Sequence, residues 1–197
     1  VAALIYLAGP LLSIGGWHDT FLDGTLRNYA ADSNPRSRLV VGPWAHIDFP
    51  GMFPDQHYGP TASTISADVA GMQLCWFDRW LKNKCNDRAQ EPRVLIFVMG
   101  ANAWRDEDEW PLPDTQYQRY YLHSQGHANT LGGDGELSLE APVDQPADTF
   151  RYDPHNPVPT VGGANLLFTQ DAPGSISGVN AGPRDQELGD EADEGQI

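Results

Sequence analysis

Two continuous apolar runs in this chain leave through the same sequence, and that repetition constrains the fold more than any other feature. Pro10-Leu-Leu-Ser-Ile14 runs into Gly15-Gly16-Trp17-His18-Asp19, and Leu39-Val-Val41 runs into Gly42-Pro43-Trp44-Ala45-His46. Each exit passes through Gly, a bend residue, a Trp, one spacer and then an ionisable group. Unbroken apolar runs are the signature of parallel strands buried on both faces. Between them Phe21, Leu22, Thr25, Leu26 and Tyr29 recur at helical spacing until Asn34-Pro35 ends the pattern. The reading is a strand, helix, strand unit of an α/β sheet. In open parallel sheets, ligands and catalytic groups gather just past the carboxyl ends of the strands. Asp19 and His46 both fall there.

A carboxylate beside an imidazole has a definite use. It accepts a hydrogen bond from one ring nitrogen, fixes the tautomer, and stabilises the imidazolium formed when the other nitrogen takes a proton from a nucleophile. In the α/β-hydrolase series the chain order is Ser, then Asp or Glu, then His, so Asp19 before His46 expects the serine earlier still. The sequence has no G-x-S-x-G elbow. Gly174-Ser-Ile-Ser-Gly178 has its serines one place off and lies after both partners. Val1 is no initiator Met and has no basic lead-in, so the expectation is a piece of a longer protein whose serine lies upstream of this chain. Strand-end Asp and His also occur as ordinary hydrogen-bonding residues, and that reading stays open. Trp17 and Trp44, with His18, either wall a substrate pocket or anchor their loops. His57, His123, His127 and His155 read as surface or hydrogen-bonded histidines.

A second helix is expected where Val69, Met72, Trp76 and Trp80 form one stripe widened by Phe77 and Leu81, with Asp68 near its start and Lys82 and Lys84 at its end. The stripe reads as a buried packing face. Arg93 to Met99 is a further apolar strand. Composition changes near Pro111 to Pro113: Gly, Pro, Asp and Thr then crowd between short strands such as Arg119 to His123 and Thr149 to Tyr152, an all-β pattern. Asp106-Glu-Asp-Glu109 and Gly132-Gly-Asp-Gly-Glu136 lack EF-hand spacing and read as solvated loops. Glu187, Asp190, Glu191, Asp193 and Glu194 read as a solvated, disordered tail.

With 27 acidic against 12 basic side chains, the formal net charge is −15. That argues against nucleic acid and anionic membrane surfaces as partners. No uninterrupted apolar run approaches the 18 or more residues of a spanning helix. Cys75 and Cys85, one in the second helix and one just past it, would sit about 15 Å apart at 1.5 Å per residue, too far for a disulfide. No CxxC or HExxH spacing is present. Neither a metal nor a cofactor is expected.

Four ordered segments, Pro10 to Asp19, Leu39 to His46, Val98-Met-Gly-Ala-Asn-Ala-Trp-Arg105 with Trp110-Pro111, and Arg151-Tyr-Asp-Pro-His-Asn-Pro-Val-Pro159, resemble the cocaine esterase and X-Pro dipeptidyl-peptidase family of serine hydrolases. The resemblance runs from about Pro10 to Arg184. It implies Asp19 and His46 as the triad Asp and His, with a small-molecule ester or amide as substrate. It places the serine, the oxyanion tyrosine and the helical cap upstream of this chain. His18 stands where the family usually has Tyr or Phe, which leaves the triad intact and alters the wall beside it. The implied fold is the C-terminal portion of an α/β-hydrolase sheet (1–113), the beginning of a jelly-roll β-sandwich (114–186), and the acidic tail (187–197). The rival reading is a carbohydrate- or protein-binding β-sandwich on a degenerate α/β scaffold. Compartment and oligomeric state are not legible.

Overall fold

The computed structural model describes residues 9–46, 50–84, 91–130, 132–155, 162–164 and 181–184. These fall into two compact units, one running to Asp114 and including 162–164 and 181–184, the other from Thr115 to His155.

The first unit is a mixed sheet with two helices. Its elements are β1 (Leu12–Gly16), α1 (Leu22–Ala31), β2 (Arg38–Gly42), α2 (Val69–Lys82), β3 (Val94–Val98) and β4 (Ala103–Glu107). The strands lie in the order β1-β2-β3-β4, the first three parallel and β4 antiparallel to β3. Leu12 faces Arg38 and Gly16 faces Gly42, so β1 and β2 finish level with one another. The β2 run is buried on both faces, successive residues pointing opposite ways, whereas Leu12 to Ile14 of β1 are half-buried. Leu39 and Val41 of β2 join Tyr29 of α1, with Leu22 and Leu26 packed alongside. Val40, between them, joins Met72 of α2, with Val69 alongside. One helix therefore covers each side, as strands of this kind require.

Four expectations are corrected by the structure. Asp106 and Glu107 are not loop residues but the end of β4, paired with Leu95 and Val94. The strand is hard to see because it is an edge of five residues in which only Trp104 carries apolar bulk inward, packed against the cores on that side. Gly100 (φ 90°) and Asn102 (φ 51°) supply the left-handed turn that joins it to β3. The stripe on α2 is only partly a packing face. Met72 is buried, but Phe77 is 54% and Leu81 76% exposed. The helix itself is well bounded: the Asp68 carboxylate accepts from Gly71 N at 3.2 Å, and Lys82 pairs with Asp78 at 2.6 Å.

In the second unit β5 (Tyr121–His123) pairs antiparallel with β6 (Glu136–Ser138). The third correction lies here: Thr149 to Tyr152 is not a strand, and Phe150 and Tyr152 stand exposed. Two alternating aromatic residues satisfy a strand pattern, yet no strand among the described residues pairs with them. Glu136, which reads from sequence as the end of a solvated turn, opens β6. Asp148 ties the unit together, accepting from Ser124 Oγ and Ala128 N, both at 2.7 Å. The Ser124 hydroxyl first, and then the Ala128 amide, hold its carboxyl below the ordinary Asp value.

Cys85, Gly174 to Gly178 and Glu187 to Glu194 lie outside the described residues. Among the described residues no helix is long and apolar enough to cross a membrane, and no group of three or more His, Cys, Asp or Glu could hold a metal ion.

Candidate functional site

The twin exits are stitched together beyond the ends of β1 and β2. Trp17 N donates to Gly42 O at 2.8 Å, His18 N donates to Trp44 O at 3.0 Å, and Asp19 N turns back to Gly16 O at 3.0 Å. Glycine is required at both exits by close approach. A Cβ on Gly16 would strike the Trp44 carbonyl, and one on Gly42 would lie inside the Trp44 indole.

Of the two roles open to the tryptophans, the contacts made are those of anchors. Trp44 is 3% exposed, and its Nε1 donates to Ala62 O at 2.7 Å. Trp17 Nε1 donates to Phe97 O at 2.7 Å, and its ring meets Trp110 with centroids 6.1 Å apart. Each indole thus ties a strand exit to a distant segment.

These constraints bring Asp19 and His46 together. Asp19 Oδ2 lies 3.2 Å from His46 Nδ1, and Oδ1 accepts from Phe21 N at 2.9 Å. Both carboxylate oxygens are occupied, so the group has little freedom to rotate. The Asp19 side chain is 15% exposed and that of His46 is 44% exposed, an arrangement of sheltered orienting group and accessible imidazole. Among the described residues no partner engages His46 Nε2. Phe21 contributes twice: its ring stands edge-on to the His46 ring with centroids 5.0 Å apart. Sequence periodicity assigns Phe21 only to the helix face. The local signal for its second role is the Asp19-Thr20-Phe21 turn, in which an Asp side chain accepts from the backbone two residues on.

His18 is turned the other way. Its Nε2 and the Tyr58 hydroxyl share a hydrogen bond of 3.0 Å, and its ring packs edge-on to Phe53 with centroids 5.1 Å apart. Burial lowers the His18 pKa below the ordinary 6.5 and raises that of Tyr58, so His18 is neutral at pH 7. The consequence for stability has a definite sign. Above pH 6.5 both states hold His18 neutral. As pH falls below 6.5 the unfolded chain takes up the proton first, and stability drops until the folded group also titrates. His18→Phe, which places an apolar ring in this slot, is expected to flatten that decline relative to the parent chain in urea melts between pH 7.5 and pH 5. Parallel curves for the two chains would refute it.

Residues 4–48 match the X-Pro dipeptidyl-peptidase (S15 family), and residues 86–194 match the X-Pro dipeptidyl-peptidase C-terminal non-catalytic domain, the latter over more than half of the chain. The chain belongs to the X-Pro dipeptidyl-peptidase and cocaine esterase family of serine hydrolases. It is 42% identical over 166 residues to the cocaine esterase of Rhodococcus sp. (strain MB1 Bresler), a match that covers 84% of this chain and 29% of that protein. Among solved structures it is similar to an aminopeptidase from the marine sediment archaeon Thaumarchaeota archaeon. There the TM-score is 0.54 at 24% identity over 81% of this chain and 25% of the other, a likeness of fold. It also aligns to a CocE/NonD family hydrolase from Staphylococcus aureus at TM-score 0.45 and 21% identity, over 64% of this chain and 21% of that one. The chain thus spans less than a third of the length of each of these relatives. Within the family match, Asp19 and His46 fall in the first matched segment, whereas β3 and β4 fall in the second yet continue the same sheet.

Proposed function

We propose that Asp19 and His46 are the acid-base pair of a serine hydrolase that cleaves esters or amides, the nucleophilic serine and oxyanion donors being contributed by sequence N-terminal to β1. The observation that carries this reading is the 3.2 Å contact between Asp19 Oδ2 and His46 Nδ1 at the level carboxyl ends of adjacent parallel strands. With Nδ1–H donating to the carboxylate, Nε2 is the nitrogen that takes the serine proton during attack and returns it to the leaving group. The Phe21 amide holds the second carboxylate oxygen, so the imidazole keeps one tautomer through both transfers. The chain order, Asp before His with α1 between, agrees with a serine placed earlier. Among the described residues no strand pairs with the outer edge of β1, which is where a parallel sheet carrying that serine would continue. In this reading residues 1–113 are the C-terminal half of the catalytic domain, and 114–186 begin a jelly-roll sandwich that takes no part in the chemistry. A purely binding role gives no use to a sheltered carboxylate held against an accessible imidazole.

Labelling by a fluorophosphonate probe tests the assignment. This chain has no G-x-S-x-G, and it is expected to stay unlabelled and to hydrolyse a nitrophenyl ester no faster than free imidazole. A longer protein that carries this sequence behind such an elbow is expected to label at the elbow serine. Stoichiometric labelling of this chain, at Ser175 or Ser177 for example, would overturn the reading.

A further inference from the structure

At the opposite ends of the same strands lies a second concentration of functional groups. Arg38 opens β2 and Arg93 immediately precedes β3, so both stand at the amino ends, about 17 Å of strand away from Asp19 and His46. Together with Arg36, Arg79, Trp76 and Trp80 they line a cavity of about 180 Å³ between the sheet and α2. Four of the chain's 12 basic residues converge here although its net charge is −15. Glu91, paired with Arg38, is the one acid in the lining, and it leaves the wall strongly positive.

The arginines are positioned rather than loose. The Asn34 carbonyl accepts from Arg93 at 3.5 Å, and the Asn34 side chain accepts from Arg36 N at 3.1 Å and Arg36 Nε at 3.4 Å. The Arg36 and Arg79 guanidinium groups each lie 5.0 Å from the Trp80 ring centroid, a cation–π geometry. Three buried donors in this wall, Arg38 Nε, Arg93 Nε and Trp80 Nε1, have no partner among the described residues. Buried donors are nearly always satisfied; no hydrogen bond among the described residues answers Arg38 Nε or Trp80 Nε1, and Arg93 has the Tyr29 hydroxyl beside it.

We propose that this cavity is a binding site for a small oxyanion of the phosphate class. Arginines from the turn before β2, from β2, from the residue before β3 and from α2 line the space on several sides. A tetrahedral oxyanion offers acceptors in as many directions, whereas a planar carboxylate does not. The volume of about 180 Å³ is well beyond what a single water needs and admits the anion with part of its hydration shell. The site is independent of the proposed hydrolase chemistry, so either can fail alone.

Calorimetric titration of the chain with inorganic phosphate, at ionic strength held constant with sodium chloride, tests it. Saturable binding at millimolar concentration or tighter is expected. Arg36→Ala combined with Arg79→Ala is expected to weaken it at least tenfold. These two side chains sit toward the surface, and circular dichroism checks that the variant folds. Trp80→Phe keeps the ring and removes the Nε1 donor, and is expected to weaken binding several-fold. A nucleoside monophosphate run in parallel separates the sources. Binding as tight as phosphate assigns a phosphate monoester, and binding of inorganic phosphate alone assigns the free ion. No saturable heat, an equal response to chloride, or affinity unchanged in both variants would overturn the proposal.

Discussion

In a protein that carries this sequence behind its nucleophilic serine, Asp19→Asn is expected to lower kcat by about 10⁴, and His46→Ala by at least as much, with KM nearly unchanged. The argument for Asp19→Asn rests on its two hydrogen bonds. Asn is the same shape, and its amide oxygen can keep the bond from Phe21 N. That leaves the NH₂ group facing His46 Nδ1, where the carboxylate oxygen now stands at 3.2 Å. Two donors cannot share that bond unless Nδ1 gives up its proton, and the proton then resides on Nε2, the nitrogen that must be free to receive one from the serine. Geometry survives while the tautomer is wrong. His18→Phe provides the contrast, since His18 bonds to Tyr58 rather than to the pair, and its kcat is expected to stay within a few-fold of the parent. A loss below tenfold for Asp19→Asn would show that the contact is structural and not catalytic.

What the sequence disclosed, it disclosed through burial. β2 and β3 are apolar on both faces because helices cover both, and a continuous run such as Leu39-Val-Val41 has no other economical use. β4 was hidden because an edge strand needs only one inward anchor: Trp104 suffices, and its neighbours Arg105, Asp106 and Glu107 look like loop. Thr149 to Tyr152 failed in the opposite way, since alternation reports what a segment could pair and not whether a partner is at hand. On α2 the 3.6-residue stripe was real, yet periodicity cannot tell which part of an apolar face is covered, and Phe77 and Leu81 are not. The contact between Asp19 and His46 follows from two like exits on strands that prove to be neighbours, which the sequence left as a condition. Phe21 and Tyr58 were not, since one acts through its backbone amide and the other is 40 residues from His18 in sequence.

Gly16→Ala is expected to destabilise the chain by about 1–3 kcal/mol or more and to separate Asp19 from His46. The methyl group would meet the carbonyl of Trp44, and that carbonyl cannot easily withdraw. It accepts His18 N at 3.0 Å, and the Trp44 indole is pinned by Ala62 O at 2.7 Å. Relief therefore falls on the end of β1, which must lift away from β2 and carry His18 and Asp19 with it. Gly24→Ala is the matched control. That glycine lies inside α1 with nothing within 4 Å of the added Cβ, so alanine's better helix propensity is expected to raise stability by up to about 1 kcal/mol. Urea midpoints measure both, and the His46 ring resonances report whether the Asp19 contact persists. If Gly16→Ala unfolds at the parent midpoint with those resonances unmoved, the close approach of the two exits is not what holds the pair in register.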